Sequence, residues 1–389
     1  MREAIRQPSG DLCYWAVLSV YQLGIWQSST WAWPAVHPSC YGVDSSAPAP
    51  NPVQDISDAT GIEQLTELTR LYMIDGYLSD LSPLSGMTNL IELDLRSNEV
   101  SDVSPLSGLT ALTLLDLRDN DVTDVGPLAG MTLLRTLLLA GNTLSDVTAL
   151  TGLSELATLH LGVNDVTDLS PLSGLTSLTT LDLSSNGISD LGALAGLTSL
   201  THLYLHDNAI SDLTPLAGLT SVEVLRLENN TISDLTPLAG LTSLSALYLS
   251  GNEITDLGPL AGLSSLAELS VQDNAITDLG PLEGLSALNI LDVRSNDFSD
   301  LGPLAGLTNL WSMCLGNSNV SDLSPLSALA PGYLSIPDAN ITDLAPLLDI
   351  PWGRNRIVNV IGNPIDCAGQ AVNIQALRDS LLALSTDCP

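Results

Sequence analysis

Leu90-Ile91-Glu92-Leu93-Asp94-Leu95-Arg96-Ser97-Asn98, continued by Val100, Asp102, Val103, Pro105 and Leu106, is the stretch on which the reading of this chain turns. From Leu68 onward the same template returns every 22 residues. Its closing Asn recurs at Asn98, Asn120, Asn142, Asn164, Asn186, Asn208, Asn230, Asn252, Asn274 and Asn296 without a slip. Successive strand residues point to opposite faces. The paired Leu therefore form a buried spine, and the residues between and beside them line the other face.

The remaining positions have physical roles of their own. The Asn stands where the chain leaves the strand, and its amide can donate and accept, so ten of them are read as a structural ladder. Pro105 and its equivalents have a fixed φ and start a short turn or 3₁₀ segment. Asp102 precedes Pro105 by three residues, where a carboxylate can cap free N–H groups. The LxxLxLxxN pattern is the signature of a leucine-rich repeat.

The phrase Asn208-Ala209-Ile210-Ser211-Asp212-Leu213-Thr214-Pro215-Leu216-Ala217-Gly218-Leu219-Thr220 resembles the 22-residue coil of bacterial internalin-like proteins. The resemblance covers about three quarters of the chain. It implies adhesion, receptor binding or scaffolding, and it is specific for fold rather than for ligand. The fold class expected is an α/β-type leucine-rich-repeat solenoid of about 14 coils. It is a curved right-handed solenoid with a parallel concave β-sheet and a 3₁₀ or irregular convex side.

Three domains are expected: an atypical N-terminal segment over 1–54, the solenoid over 55–366 and a C-terminal cap over 367–389. Near the end the template wobbles. Ser318 and Ala339 replace the ladder Asn, Pro331 replaces a leading Leu, and Val358, Val360, Asn363 and Ile365 restore one last coil. Ile374 to Leu382 has helical periodicity. Cys367 and Cys388 bracket this tail and are read as a disulfide, the alternative being two free thiols. A disulfide implies an oxidising compartment. At the other end the template begins in mid-coil at Ile56, although Arg2 to Leu12 looks like an opening helical cap. Residues 13–54 carry four of the six Trp. They are read either as a frame-shifted or degenerate insertion, with the true start upstream of Met1, or as a genuine, partly disordered segment. Cys13 to Trp26 is apolar but shorter than the ~20 residues of a membrane helix, and as a signal-peptide core it is interrupted by Gln22. No membrane span is expected.

The charge is lopsided: 44 acids against 11 bases, all of them Arg, for a net −33. Such a surface argues against nucleic acid and against an anionic membrane. The five Cys include no CxxC and no zinc spacing.

Binding is expected on the concave face, where the columns vary while the spine does not. One cluster is His160, His202, Tyr204, His206, Arg226, Glu228 and Tyr248, with Tyr204, Arg226 and Tyr248 side by side on neighbouring strands. Tyr and Arg are enriched at binding hot spots. The His residues make pH-dependent binding between pH 5 and 8 a second expectation. A second cluster, Asp94, Arg96, Asp116 and Arg118, is expected to pair across neighbouring strands. Metal binding by the His residues is not expected, since residues i and i+4 of a strand lie ~13 Å apart. The Asp column from Asp80 to Asp322 suits capping better than calcium, which takes 6–8 oxygens in general. There is no Ser/His/Asp order, nucleophile elbow or phosphate loop, so neither a catalytic residue nor a cofactor is expected. The functional expectation is a monomeric, non-catalytic binding module for a protein or glycan, secreted or displayed on a cell surface. The alternative is an intracellular scaffold or regulatory subunit of an enzyme. Cys367 and Cys388 discriminate the two.

Overall fold

The computed structural model of the chain describes residues 57–352 and 356–388, together with the two-residue strand Trp31–Ala32. The expectations for Ile56, for the cap-like Arg2 to Leu12 and for the remainder of 1–54 lie outside the described residues. The chain divides into two units, Met1–Gly187 and Ile188–Pro389.

In the first unit the strands Arg70–Tyr72, Glu92–Asp94, Leu114–Asp116, Thr136–Leu138, Thr158–His160 and Thr180–Asp182 follow one another in one parallel sheet. The register is the template itself: Leu71, Leu93, Leu115, Leu137, Leu159 and Leu181 are successive Cα partners. Each is fully buried. Trp31–Ala32 pairs in parallel with Leu71 and Tyr72. The second unit repeats the arrangement from His202–Tyr204 to Ile357–Asn359. The fold is a leucine-rich-repeat solenoid, with three-residue strands joined through single 3₁₀ turns.

Asp and Leu together set those turns. Ser104–Gly108 begins two residues after Asp102, whose Oδ1 accepts the Ser104 N–H at 2.8 Å. Thr148–Gly152 and Gly192–Leu194 have no Pro, yet form the same turn. There Asp146 and Asp190 accept the Thr148 and Gly192 N–H groups at 2.8 Å, and Leu150 and Leu194 are buried. Proline thus assists a turn that the carboxylate cap and the buried Leu already specify.

Each ladder Asn joins two coils. Asn120 Nδ2 donates to Leu95 O of the preceding coil at 3.0 Å and to Leu117 O of its own at 3.1 Å. Its Oδ1 accepts the Val100 N–H at 2.9 Å. Buried backbone groups left by a strand that ends after three residues find partners in this way. Asn230 and Asn296 do the same in the second unit. Ser318 keeps a bond within its own coil, to Leu315 O at 2.7 Å, and Asn363 restores the bridge to Ile336 O and to the Ile341 N–H.

The residue before each Asn is left-handed. Ser97, Asp119, Ser185, Asp207, Asn229 and Asp273 have φ between 51° and 57°. Asp and Asn tolerate this region, and Gly141, Gly251 and Gly362 occupy it freely. Val163 is the exception, a β-branched residue at φ 55° that is 59% exposed.

The second unit closes with the helix Ala371–Ser380, the Cys367–Cys388 disulfide and the strand Ala383–Ser385. That strand pairs in parallel with Ile357–Asn359. The helical pattern read to Leu382 therefore stops earlier. The strand that follows takes up backbone groups which Ile357–Asn359 would otherwise leave unpaired at the edge.

Candidate functional site

The sheet presents the first and third residues of each strand on its open face, while the second is buried. In the second unit three consecutive strands bring six of the expected residues together: His202, Tyr204, His206, Arg226, Glu228 and Tyr248. Tyr204 and Arg226 are Cα partners, as are Arg226 and Tyr248. The Arg226 Cζ stands 5.4 Å from the centroid of the Tyr248 ring, a cation–π distance. Its Nη2 and Nε donate to Glu228 Oε1 at 2.6 and 2.9 Å. Residues i and i+2 of a strand share a face, which makes this pair local.

The guanidinium is held between an aromatic ring and a carboxylate, and it is half-exposed. The hydrogen bond from Arg226 to Glu228 is the main reason its proton is held more tightly than usual. Glu228 is only 14% exposed in its side chain, and its second oxygen, Oε2, is buried without a hydrogen-bond partner. Burial, and next a hydrogen bond with Glu268, push the Tyr248 hydroxyl up to about 12. At the rim, His206 Nδ1 lies 2.7 Å from Asp207 Oδ2, and Asn229 Nδ2 donates to Asp207 Oδ1 at 2.7 Å. His202 Nδ1 is 2.9 Å from the Thr201 hydroxyl. The set combines two rings, one oriented cation and an incompletely satisfied acid, which suits recognition of a polar surface.

His160 belongs to the first unit. Its neighbours on the adjoining strands are Leu138 and Asp182. Burial holds its imidazole below the ordinary value, with Asp182 opposing.

The acidic–basic cluster of the first unit pairs differently from the expectation. Arg118 grips Asp116 of its own strand through Nη2 at 2.6 Å and Nε at 3.0 Å. Arg96 approaches Asp94, also of its own strand, at 3.7 Å. The i, i+2 spacing lets each Arg fold back on its own Asp, which shortens the reach compared with a cross-strand bond. Asp94 and Asp116 remain neighbours across the sheet and are both buried. Burial first, and then the adjacent Asp116 charge, push the Asp94 carboxyl up to about 6.

Among the described residues no group of three or more His, Cys, Asp and Glu is placed to hold a metal ion. Nor is any helix among them long and apolar enough to cross a membrane. The Asp column carries caps. The Ser104 N–H, followed by its hydroxyl, holds the Asp102 carboxyl below the usual range.

Comparison with known proteins agrees with this architecture. Residues 88–130, 154–196, 176–218 and 220–264 match the family model described as Leucine Rich repeats (2 copies). The chain is 36% identical to the internalin InlF of Listeria monocytogenes, with a TM-score of 0.72 over 74% of this chain and 86% of that one. It belongs to the internalin-like leucine-rich-repeat proteins. The functional domain of InlJ from the same organism is 25% identical, with a TM-score of 0.63 over 79% of this chain and 72% of that one. The Leptospira interrogans protein LIC12759 shares the fold at 23% identity, with a TM-score of 0.77 over 91% and 89% of the two chains. No curated protein sequence matches.

For this internalin-like chain the cluster expected from the columns left out Glu268, Asp207 and Asn229. Glu268 reaches Tyr248, and Asp207 with Asn229 orders His206. Glu268 starts its strand two positions before Ser270, so a diagonal cross-strand contact could have been anticipated. Asp207 sits at the left-handed position, which the alternation of strand residues does not describe.

Proposed function

We propose that this chain is a non-catalytic recognition module, secreted or displayed on a cell surface. It binds a protein or glycan through the open sheet face of the second unit at Tyr204, Arg226 and Tyr248. The observation that carries the reading is the Arg226 guanidinium packed at 5.4 Å from the Tyr248 ring and clamped by Glu228. Rigid aromatic and arginine side chains lose little freedom on binding, which is why such residues dominate interface energetics. The Cys367–Cys388 disulfide supports an oxidising compartment and favours this reading over an intracellular scaffold. The acidic surface, at net −33, supports a protein or neutral glycan over a nucleic acid.

The test is a binding screen of the purified chain against a glycan array and against extracted cell-surface proteins, run beside the Tyr204→Ala, Arg226→Ala, Tyr248→Ala triple variant. The expected result is at least one ligand whose affinity falls about thirtyfold or more in the variant, the size of a hot-spot loss. Equal retention of every ligand by both proteins would overturn the proposal.

A further inference from the structure

A second feature of the second unit lies apart from the Tyr204, Arg226 and Tyr248 row. The large exposed apolar residues of this unit all come after residue 289, beginning with Ile290, at 37%, and Trp311, at 51%. Ile290, Ser312, Tyr333 and Ile357 are successive Cα partners at the starts of four neighbouring strands. One residue earlier in each of the last three coils stand Trp311, Gly332 and Arg356. Gly332 N–H donates to Trp311 O at 2.7 Å, and Ile357 N–H donates to Gly332 O at 3.1 Å, so these three occupy consecutive rungs.

Gly332 gives this row its shape. A Cβ there would overlap the Trp311 indole at Cε2, Nε1 and Cζ2. The ring therefore lies directly on the glycine backbone, backed on one side and open on the other. In the adjoining row Ile290 and Ile357 stand three strand spacings apart, about 14 Å, with Ser312 and Tyr333 between them. An extended peptide covers that length with about four residues.

Charge decides what the strip fits. Arg70, Arg96, Arg118, Arg135, Arg226 and Arg294 all form ion pairs with acids. Arg378 donates to Cys388 O. The Arg356 side chain, by contrast, forms no ion pair among the described residues, and its Nε is buried without a hydrogen bond. In a chain with 44 acids and 11 arginines, a cation left without an acid two rungs from an exposed Trp is complementary to an acid from outside. The Arg356 side chain as a whole is only half-buried, so a carboxylate from outside can form a charge-assisted pair with the rest of its guanidinium.

We infer that Trp311, Gly332 and Arg356 form a second docking site, for an extended protein segment that sets an apolar side chain on the indole and a carboxylate on Arg356. Flanking Ile290 and Ile357 favour a protein segment over a sugar, since their aliphatic side chains offer no hydrogen-bond partner to a sugar's hydroxyls.

The test is selection from a phage-displayed library of random dodecapeptides on the full chain, after depletion on the Trp311→Ala, Arg356→Gln double variant. The expected outcome is a family of peptides with Asp or Glu close to an aromatic or aliphatic residue. A synthetic member should lose about tenfold or more in affinity on Trp311→Ala, on Arg356→Gln and on Gly332→Ala, which displaces the indole without removing it. Tyr204→Ala should leave it unchanged, which separates this site from the proposed recognition face. Circular dichroism melts of each variant report folding. The inference fails if no peptide family is enriched, if the enriched peptides carry no acid, or if Arg356→Gln has no effect. It also fails if acidic glycans bind through these residues in place of peptides, or if sedimentation shows that the strip instead joins two copies of this chain.

Discussion

Val163 and Asp94 show how single residues carry strain and charge in this chain. Val163 holds φ at 55° in a column otherwise filled by Asp, Asn, Ser and Gly. The left-handed region costs a residue with a Cβ about 1–2 kcal/mol, and Asn loses less of this because its side chain bonds locally. Val163→Asn should therefore stabilise the first unit by about 1 kcal/mol in urea unfolding, and a loss of stability would contradict the strain. Asp94 makes an opposite kind of sacrifice. Its carboxyl is raised from the ordinary 3.8 to about 6, so between these values the folded chain binds more protons than the unfolded one. Stability from this group falls as pH rises through that window. Asp94→Asn should flatten that slope and raise the melting temperature at pH 7, and an unchanged pH profile would show that burial does not act as argued. The capping carboxylates, such as Asp102, have the opposite sign, because their lowered values give stability that is lost only as pH falls below the usual carboxylate range.

At the scale of the element, the coil is a loop of three-residue strand, Asn turn and 3₁₀ turn that cannot satisfy itself. Asn120 connects Leu95 O, Leu117 O and the Val100 N–H through one buried amide. Asn120→Ala removes all of these bonds, but Leu95 O and Leu117 O keep the amides of Asn98 and Asn142, so the buried group left unpaired is the Val100 N–H. The expected loss is about 1–3 kcal/mol in chemical unfolding. A loss under about 0.5 kcal/mol, the usual size for a surface substitution, would mean water replaces the amide. The location of these turns was legible, because Asn, Asp and Leu recur at fixed offsets. The left-handed residue before the Asn was not read, although its composition of Asp, Ser, Asn and Gly is visible in the columns. Side-chain alternation describes the strand and says nothing about the backbone sign where the strand ends.

At the scale of the molecule, each coil rests on its neighbours, and damage should stay local. The Cys367–Cys388 link closes a loop with a sequence separation of 21 over the last coil of the second unit. Removing it with Cys367→Ala and Cys388→Ala should free the pairing of Ile357–Asn359 with Ala383–Ser385. Hydrogen exchange should then speed up at those strands and stay unchanged at Val224–Arg226. Uniform acceleration across the unit would show cooperative rather than nearest-neighbour stability. The 22-residue period by itself determined the fold, its parallel register and its buried Leu spine, because those depend on a local pattern that meets an identical copy of itself on each side. Only the tertiary structure decided that Arg118 turns to Asp116 of its own strand, that Glu268 reaches Tyr248, that Trp311 lies on Gly332, and that a final strand follows the terminal helix. These are contacts between positions where the copies differ. The period is silent about them, since each outcome depends on which side chains the neighbouring coils present.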